Sequence, residues 1–262
     1  MSTAAHLEVR ALTKSFKGRH GPITALEDVN LTVELGEFVC IVGASGGGKS
    51  TLLGIIAGLT DPTEGEVLLD GVHLDGPGPD RGLVFQSYSL YPWRSVAENI
   101  AFGLEIAGLS KSSITARVDY YLDVMNLTKW AHARPGQLSG GMRQRVAIAR
   151  SLAAEPQVLL LDEPFGALDA YTKSLMQDFL LDVWRRTGTT VLMVTHDVEE
   201  AIFLAQRIYV LSSHPGRIKQ ELAVPFGPER APEIRRAEQF LDLRDEIRAL
   251  LLAEFAEAQP LD

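Results

Sequence analysis

Eight consecutive residues, Gly43-Ala44-Ser45-Gly46-Gly47-Gly48-Lys49-Ser50, have the types and order needed to cradle a phosphate. Glycines let successive backbone N–H groups converge on phosphate oxygens without Cβ interference, and a helix opening at Lys49 points its positive end at the same anion. Lys49 is placed to reach β and γ phosphates. Ser50 presents a hydroxyl to Mg²⁺, an ion that takes a few protein oxygens and keeps several waters. In this composition the pattern G-x-x-x-x-G-K-[ST] arises by chance roughly 0.006 times. A second set is Asp162-Glu163, two carboxylates that follow the apolar run Val158–Leu161, at a strand's C-terminal end, where α/β folds place ligands. Neighbours on a strand face opposite ways, so different work is expected of each. Asp162 would hold Mg²⁺ through water and Glu163 would polarise the attacking water of a phosphoryl transfer. Leu138-Ser139-Gly140-Gly141 opens a predicted helix and makes a second anion site at its N-terminus. That site lacks a lysine and a strand of its own, so it completes a site either in this chain or on another copy.

The elements that must position these residues are legible as periodicities. Val29, Leu31 and Val33 alternate with polar neighbours, and Phe38–Val42 is a short apolar run that predicts a fully buried strand feeding the glycine loop. Lys49–Gly58 follows as a helix, with Cys40 as an apolar filler on the strand before it. Further runs at Glu66–Leu69, Leu83–Phe85, Val158–Leu161, Val191–Val194 and Ile208–Leu211 alternate with helical stretches, which predicts an α/β fold with a largely parallel sheet. Between Ser87 and Glu155 the pattern is helical, over Val96–Ala107, Ser112–Met125 and Gly140–Ala154. A helical subdomain inserted at about 87–155 is the expectation. Phe240, Leu243, Ile247 and Leu250 recur at helical spacing and predict a closing amphipathic helix, expected to pack on its own domain.

Composition narrows the function classes. The 262 residues are 46% hydrophobic and 23% charged, in the globular range. No apolar stretch approaches the ~20 residues that span a bilayer, and no leader pattern opens the chain, so cytosolic residence is expected. The single cysteine excludes an internal disulfide. With 25 Lys plus Arg against 34 Asp plus Glu, the net charge of −9 argues against a nucleic-acid partner. Nine of the acids lie between Glu229 and Asp262, which reads as a solvated tail.

With these motifs in order, the chain resembles the nucleotide-binding subunit of an ABC transporter. Gly43–Ser50 matches the Walker A loop, Leu159–Glu163 the Walker B strand and Leu138–Gly141 the family signature. The resemblance runs from Leu7 to Leu222 and implies further roles. Phe16 matches the aromatic that stacks on adenine, Gln86 the glutamine between the Mg²⁺ site and the helical subdomain, Leu168-Asp169 the D-loop, and His196 the switch histidine at the γ-phosphate. It implies ATP contacts for Phe16, Gly43, Ser45, Gly46, Gly48, Lys49, Ser50, Thr51, Gln86, Ser139, Gly140, Gly141 and Asp169. Mg²⁺ contacts fall to Ser50, Gln86 and Asp162, and catalysis to Lys49, Glu163 and His196.

The fold it implies is a P-loop NTPase with a RecA-like core, an N-terminal antiparallel β layer and a helical subdomain. An ATPase domain over 1–228 and a helical tail over 229–262 are expected. One departure is Met142, where the signature usually carries Gln, so a side-chain amide contact is missing there. That variant, with Gly76–Arg81, Tyr91–Arg94, Phe165–Ala170 and Leu211–Arg217, resembles importer ATPases for nitrate, taurine, alkanesulfonate and bicarbonate. The implied partners are a second ATPase subunit, identical or a close paralogue, two transmembrane permease subunits and, indirectly, a periplasmic or lipid-anchored binding protein. The implied location is the cytoplasmic face of the bacterial inner membrane. The rival readings are a soluble ABC ATPase of DNA repair or translation and a regulatory phosphate-binding module. The first usually needs tandem cassettes or a long coiled-coil insertion, yet only 96 positions separate Gly43 from Ser139. The second is weakened by the presence of both Glu163 and His196.

Overall fold

The computed structural model describes residues 5–19 and 21–258. Asp262 of the acidic tail lies outside the described residues, as do the side chains of Glu254 and Glu257. In chain order the first elements are β1 (Leu7–Gly18), β2 (Gly21–Val33), β3 (Phe38–Gly43), α1 (Lys49–Ile56), β4 (Glu64–Leu69) and β5 (Val72–His73). Then come β6 (Arg81–Val84), α2 (Val96–Ile106), α3 (Lys111–Val124), α4 (Gly140–Ala153), β7 (Val158–Asp162) and α5 (Ala170–Thr187). The last are β8 (Thr190–Thr195), α6 (Val198–Leu204), β9 (Arg207–Leu211), β10 (Ile218–Ala223) and α7 (Glu238–Ala258). Two compact units result, residues 1–78 with 188–262, and residues 79–187.

In the first unit an antiparallel sheet runs in the order β2-β1-β4-β5. Leu7, Val9, Leu12, Val29, Leu31 and Val33 are buried on it. Register shifts between Val9 and Leu12 break the period-2 signal, so β1 has no clean alternation in the sequence. Beside this sheet β3 pairs in parallel with both β8 and β9, and β10 closes on β9 antiparallel. All six residues of β3 are buried, as their continuous apolar run predicts. Strand β10 is polar and alternates in exposure, which hid it in the sequence. Phe240 and Ile247 of α7 are fully buried, so this helix packs within its own unit. Helix α1 ends at Ile56, two residues short of the expected Gly58, because Gly58 at φ 75° takes the left-handed turn, with Gly58 N–H donating to Ile55 O and Leu59 N–H to Gly54 O.

In the second unit β6 and β7 pair in parallel, and α2, α3 and α4 pack on one another. The three helices begin and end within a residue of their predicted bounds, because each carries start and stop chemistry. Ser95, Ser110 and Ser139 cap their N-termini, and Gly108, Asn126 and Glu155 adopt positive φ beyond their ends.

Candidate functional site

Strand β3 delivers its chain end into the glycine loop. Gly46 and Gly48 take φ 82° and 86°, values that favour glycine. The loop is walled closely by its own unit. A Cβ on Gly48 would lie 2.7 Å from Leu26 Cδ2 and 2.8 Å from Ala25 O, and one on Gly43 would lie 2.7 Å from Leu211 O. Gly216 approaches just as tightly, since a Cβ there would sit 2.5 Å from Gly47 O. The Leu211–Arg217 segment is therefore a wall of the glycine loop, with the His214 ring about 4 Å from a Cβ on Gly46. Sequence reading noted this segment only as part of a resemblance; its role comes from β9 pairing beside β3, Gly43 opposite Leu211.

Lys49 is only 4% exposed, and its ammonium donates to Gly43 O at 3.0 Å and Ala44 O at 2.8 Å. Its charge is thereby bent back over the loop it follows. Ser45, Gly46 and Ser50 are exposed along the loop, with Thr51 half-buried behind them. The first turn of α1 holds no acidic residue to compete with an anion.

Register places the histidine. Val42 pairs with Thr195, so His196, the next residue after β8, is level with Gly43. The cap of α6 is Asp197, which accepts from Glu200 N–H at 3.1 Å, and the His196 ring is exposed. Behind it the Thr195 hydroxyl donates to the buried Glu200 carboxylate. Cys40 is fully buried, and desolvation first, then Glu200, raises its thiol pKa well above the usual range, against the opposing charge of Arg230. It is packing, as read from sequence. Phe16 is 44% exposed on the β1–β2 hairpin with the Lys14 ammonium 5.1 Å from its ring centroid, so it is no core filler.

The second unit carries the acids, the glutamine and the signature. Asp162 ends β7, and Glu163 follows at φ 43°, a left-handed conformation that costs of order 1–3 kcal/mol for a non-glycine residue. The Gln86 amide nitrogen lies 3.2 Å, and a Glu163 carboxylate oxygen 3.7 Å, from a Cβ position on Gly166, so the fold brings Gln86 and Glu163 to one turn. Ser139 caps α4, its hydroxyl accepting from Met142 N–H at 3.3 Å. A Cβ on Gly140 would lie 3.1 Å from Leu168 Cδ2, and one on Gly141 3.0 Å from Thr172 Cγ2. Small residues there let the turn before α5 approach. Asp169 accepts from the Thr172 hydroxyl at 2.7 Å and its N–H at 3.0 Å, bonds that pull its pKa below the ordinary value. Among the described residues no three or more His, Cys, Asp or Glu gather as a metal cage.

In the Tyr91–Arg94 segment Trp93 is 67% exposed, while the Tyr91 ring packs tilted against Trp93 and Phe102 at centroid distances of 5.6 and 4.4 Å. Sequence reasoning missed Asn99 and Arg150, polar residues inside helices with no motif around them. Asn99 is fully buried and bonds Tyr91 N–H and the carbonyls of Tyr91, Arg94 and Ser95.

Comparison with known proteins identifies the family. The family model described as ABC transporter matches residues 26–166. The nitrate import ATP-binding protein NrtD of Synechocystis sp. is 53% identical over 94% of this chain and 95% of its own length. The taurine import ATP-binding protein TauB of Pseudomonas syringae pv. tomato is 43% identical over 97% of this chain and 99% of its own. The dimeric ATP-binding cassette MJ0796, solved bound to ADP and Pi, superposes with a TM-score of 0.73 at 36% identity, over 84% of this chain and all of that one.

Proposed function

The chain belongs to the ABC transporter ATP-binding family, and on that footing we propose that it is the ATP-hydrolysing subunit of an importer for a small anion, of the nitrate, taurine, alkanesulfonate or bicarbonate class. The phosphate loop carries the reading: left-handed Gly46 and Gly48, walls that exclude a Cβ, and a buried lysine turned over the loop. Relatives named for nitrate and taurine import support the substrate class.

In this reading the loop N–H groups and Lys49 bind the β and γ phosphates, and Phe16 offers its exposed ring to adenine. Asp169 and the Ser139–Gly141 helix start complete the nucleotide contacts. Glu163 orients and polarises the attacking water, and His196 holds the γ-phosphate. Ser50 and Gln86, with Asp162 through water, would hold Mg²⁺, a set that fits an ion needing one or two carboxylates rather than a protein cage. An ion held there would supply charge neutralisation for the phosphoryl transfer. The ATPase domain is taken as 1–228, with helices 87–155 within it and 229–262 as an appended helical tail.

The subunit works as a dimer, of itself or with a close paralogue, on two permease subunits served by a substrate-binding protein, at the cytoplasmic face of the inner membrane. No described helix is long and apolar enough to cross a membrane. Exposed Trp93, with Tyr88 and Tyr91, is the contact for a permease helix, so Trp93→Ala is expected to reduce co-purification with the permease. The deciding experiment is uptake by the whole complex in proteoliposomes with nitrate, taurine, an alkanesulfonate and bicarbonate. ATP-dependent uptake of one of them, abolished by Glu163→Gln, is expected; uptake of none overturns the substrate class.

A further inference from the structure

Between Gln86 and α2 the backbone makes an unusual turn. Tyr88 and Ser89 both take positive φ, 62° and 47°, and Ser89 N–H donates to Ser87 O at 2.7 Å, closing a γ-turn around Tyr88. Such turns are rare and strained, and they persist only where the surroundings over-determine them. Locally, Tyr88 N–H donates to Phe85 O at 3.0 Å and the Ser87 and Ser89 hydroxyls lie 3.3 Å apart, and the long-range support is one side chain of the signature helix. Arg150, near the C-terminal end of α4, donates Nη1 to Ser89 O at 2.7 Å and Nη2 to Tyr88 O at 3.3 Å, with its guanidinium 5.5 Å from the Tyr91 ring centroid. Burial pulls the Arg150 pKa below the usual guanidinium value, with Tyr91 opposing. The fork matches two successive carbonyls, which a lysine ammonium would not do.

The same turn touches both functional ends of the unit. The Tyr88 hydroxyl lies 3.6 Å from a Cβ position on Gly140, at the start of α4, and Gln86, two residues earlier, lies against Gly166 beside Glu163. Burial raises the Tyr88 pKa, against the nearby Arg143 charge, so the phenol stays protonated there.

We propose that Arg150 is a positioning residue that latches the Tyr88–Ser89 turn, and so holds Gln86 and the Ser139–Gly141 helix start in one register within a single protomer. Its bonded partners, Tyr88 O and Ser89 O, belong to none of the nucleotide or Mg²⁺ residues named above. The latch rests on the functional reading above only in that Gln86 and Ser139 serve ATP turnover. A contact made at the exposed Trp93 would reach the signature through this turn, since Tyr91 packs against Trp93 and lies under Arg150.

The test uses the full-length chain with Arg150→Ala, Arg150→Lys, Ser89→Gly and the Arg150→Ala/Ser89→Gly double variant. Hydrogen exchange is read at the Tyr88 and Ser89 amides, with the interior of α4 as the folding control, and kcat and KM for ATP are measured alongside. In Arg150→Ala the two amides are expected to exchange roughly ten-fold faster while α4 stays protected, because two charge-assisted bonds are lost locally. Its kcat falls roughly ten-fold with KM little changed, and Arg150→Lys falls between it and wild type. Glycine adopts the left-handed conformation without the Cβ penalty, so Ser89→Gly alone is near neutral and the double variant recovers much of the lost kcat. A purely packing role for Arg150 predicts no such rescue. Unchanged exchange in Arg150→Ala, or a double variant no better than the single one, overturns the latch. If Arg150→Ala does not fold, the same comparison with Arg150→Lys and its Ser89→Gly double decides. If the wild-type chain hydrolyses no ATP, the functional reading fails, and the exchange measurement still decides the latch.

Discussion

Gly48 shows how narrowly single residues define the phosphate loop. At φ 86° it is in the left-handed region, where a Cβ costs about 1–2 kcal/mol, and that Cβ would also press on Ala25 O and Leu26. Gly48→Ala is therefore expected to lower stability by about 1–3 kcal/mol and to abolish measurable ATP binding, checked by urea unfolding and nucleotide titration. Phe16 is the opposite case, an exposed ring whose loss leaves the fold intact. If Phe16 stacks on the base as proposed, the contact tolerates any base, so Phe16→Ala is expected to weaken ATP and GTP alike by about 1–3 kcal/mol. Equal affinities in mutant and wild type, by fluorescence titration with both nucleotides, would return Phe16 to a structural role. The motif positions stood out in the sequence because they are marked by local residue type and spacing. Arg150 and Asn99 were not, because a buried polar side chain bonding distant carbonyls leaves no periodic trace.

Elements form here through their ends as much as through their apolar faces. Helix α2 starts with a reciprocal capping box: the Ser95 hydroxyl accepts from Glu98 N–H at 3.2 Å, and the Glu98 carboxylate accepts from Ser95 N–H at 2.6 Å. Ser95→Ala is expected to cost about 1 kcal/mol of stability, read by chemical denaturation. Ser95 lowers the Glu98 pKa, through its backbone N–H bond to the carboxylate first and its side chain second. A depressed folded-state pKa means stability that is present above the unfolded value, about 4.3 for Glu, and is lost as pH falls through the folded one. Glu98→Gln should flatten that acid limb of the unfolding profile; an unchanged slope would dismiss the box as a contributor. Serine caps and left-handed stops made α2, α3 and α4 readable to within a residue. Strands β1 and β10 escaped because bulges break the alternation of one and the other is a polar edge.

At the scale of the molecule the signature raises the question of copies. Ser139, Gly140 and Gly141 present N–H groups at the start of α4, and the cassette MJ0796 is dimeric in its solved structure. If the signature of one copy closes the phosphate loop of another, Glu163→Gln should stop turnover, retain ATP and accumulate as a dimer with ATP and Mg²⁺. Adding Ser139→Arg places bulk and charge at the shared phosphate and should return the protein to monomer. Size-exclusion chromatography with and without ATP decides, and a double variant that still dimerises on ATP sinks the shared site.

Sequence alone determined the glycine loop between β3 and α1, the paired carboxylates after β7, the serine-capped start of α4 and the alternation of strand and helix, because each is written in local residue types at fixed spacing. Tertiary structure alone decided that His196 stands level with Gly43, that the Leu211–Arg217 segment walls the loop, and that Arg150 grips the turn at Tyr88. Each of these joins residues tens to more than a hundred positions apart, through strand register or a buried hydrogen bond. Local periodicity carries no record of such pairings, since they exist only once the chain has closed on itself.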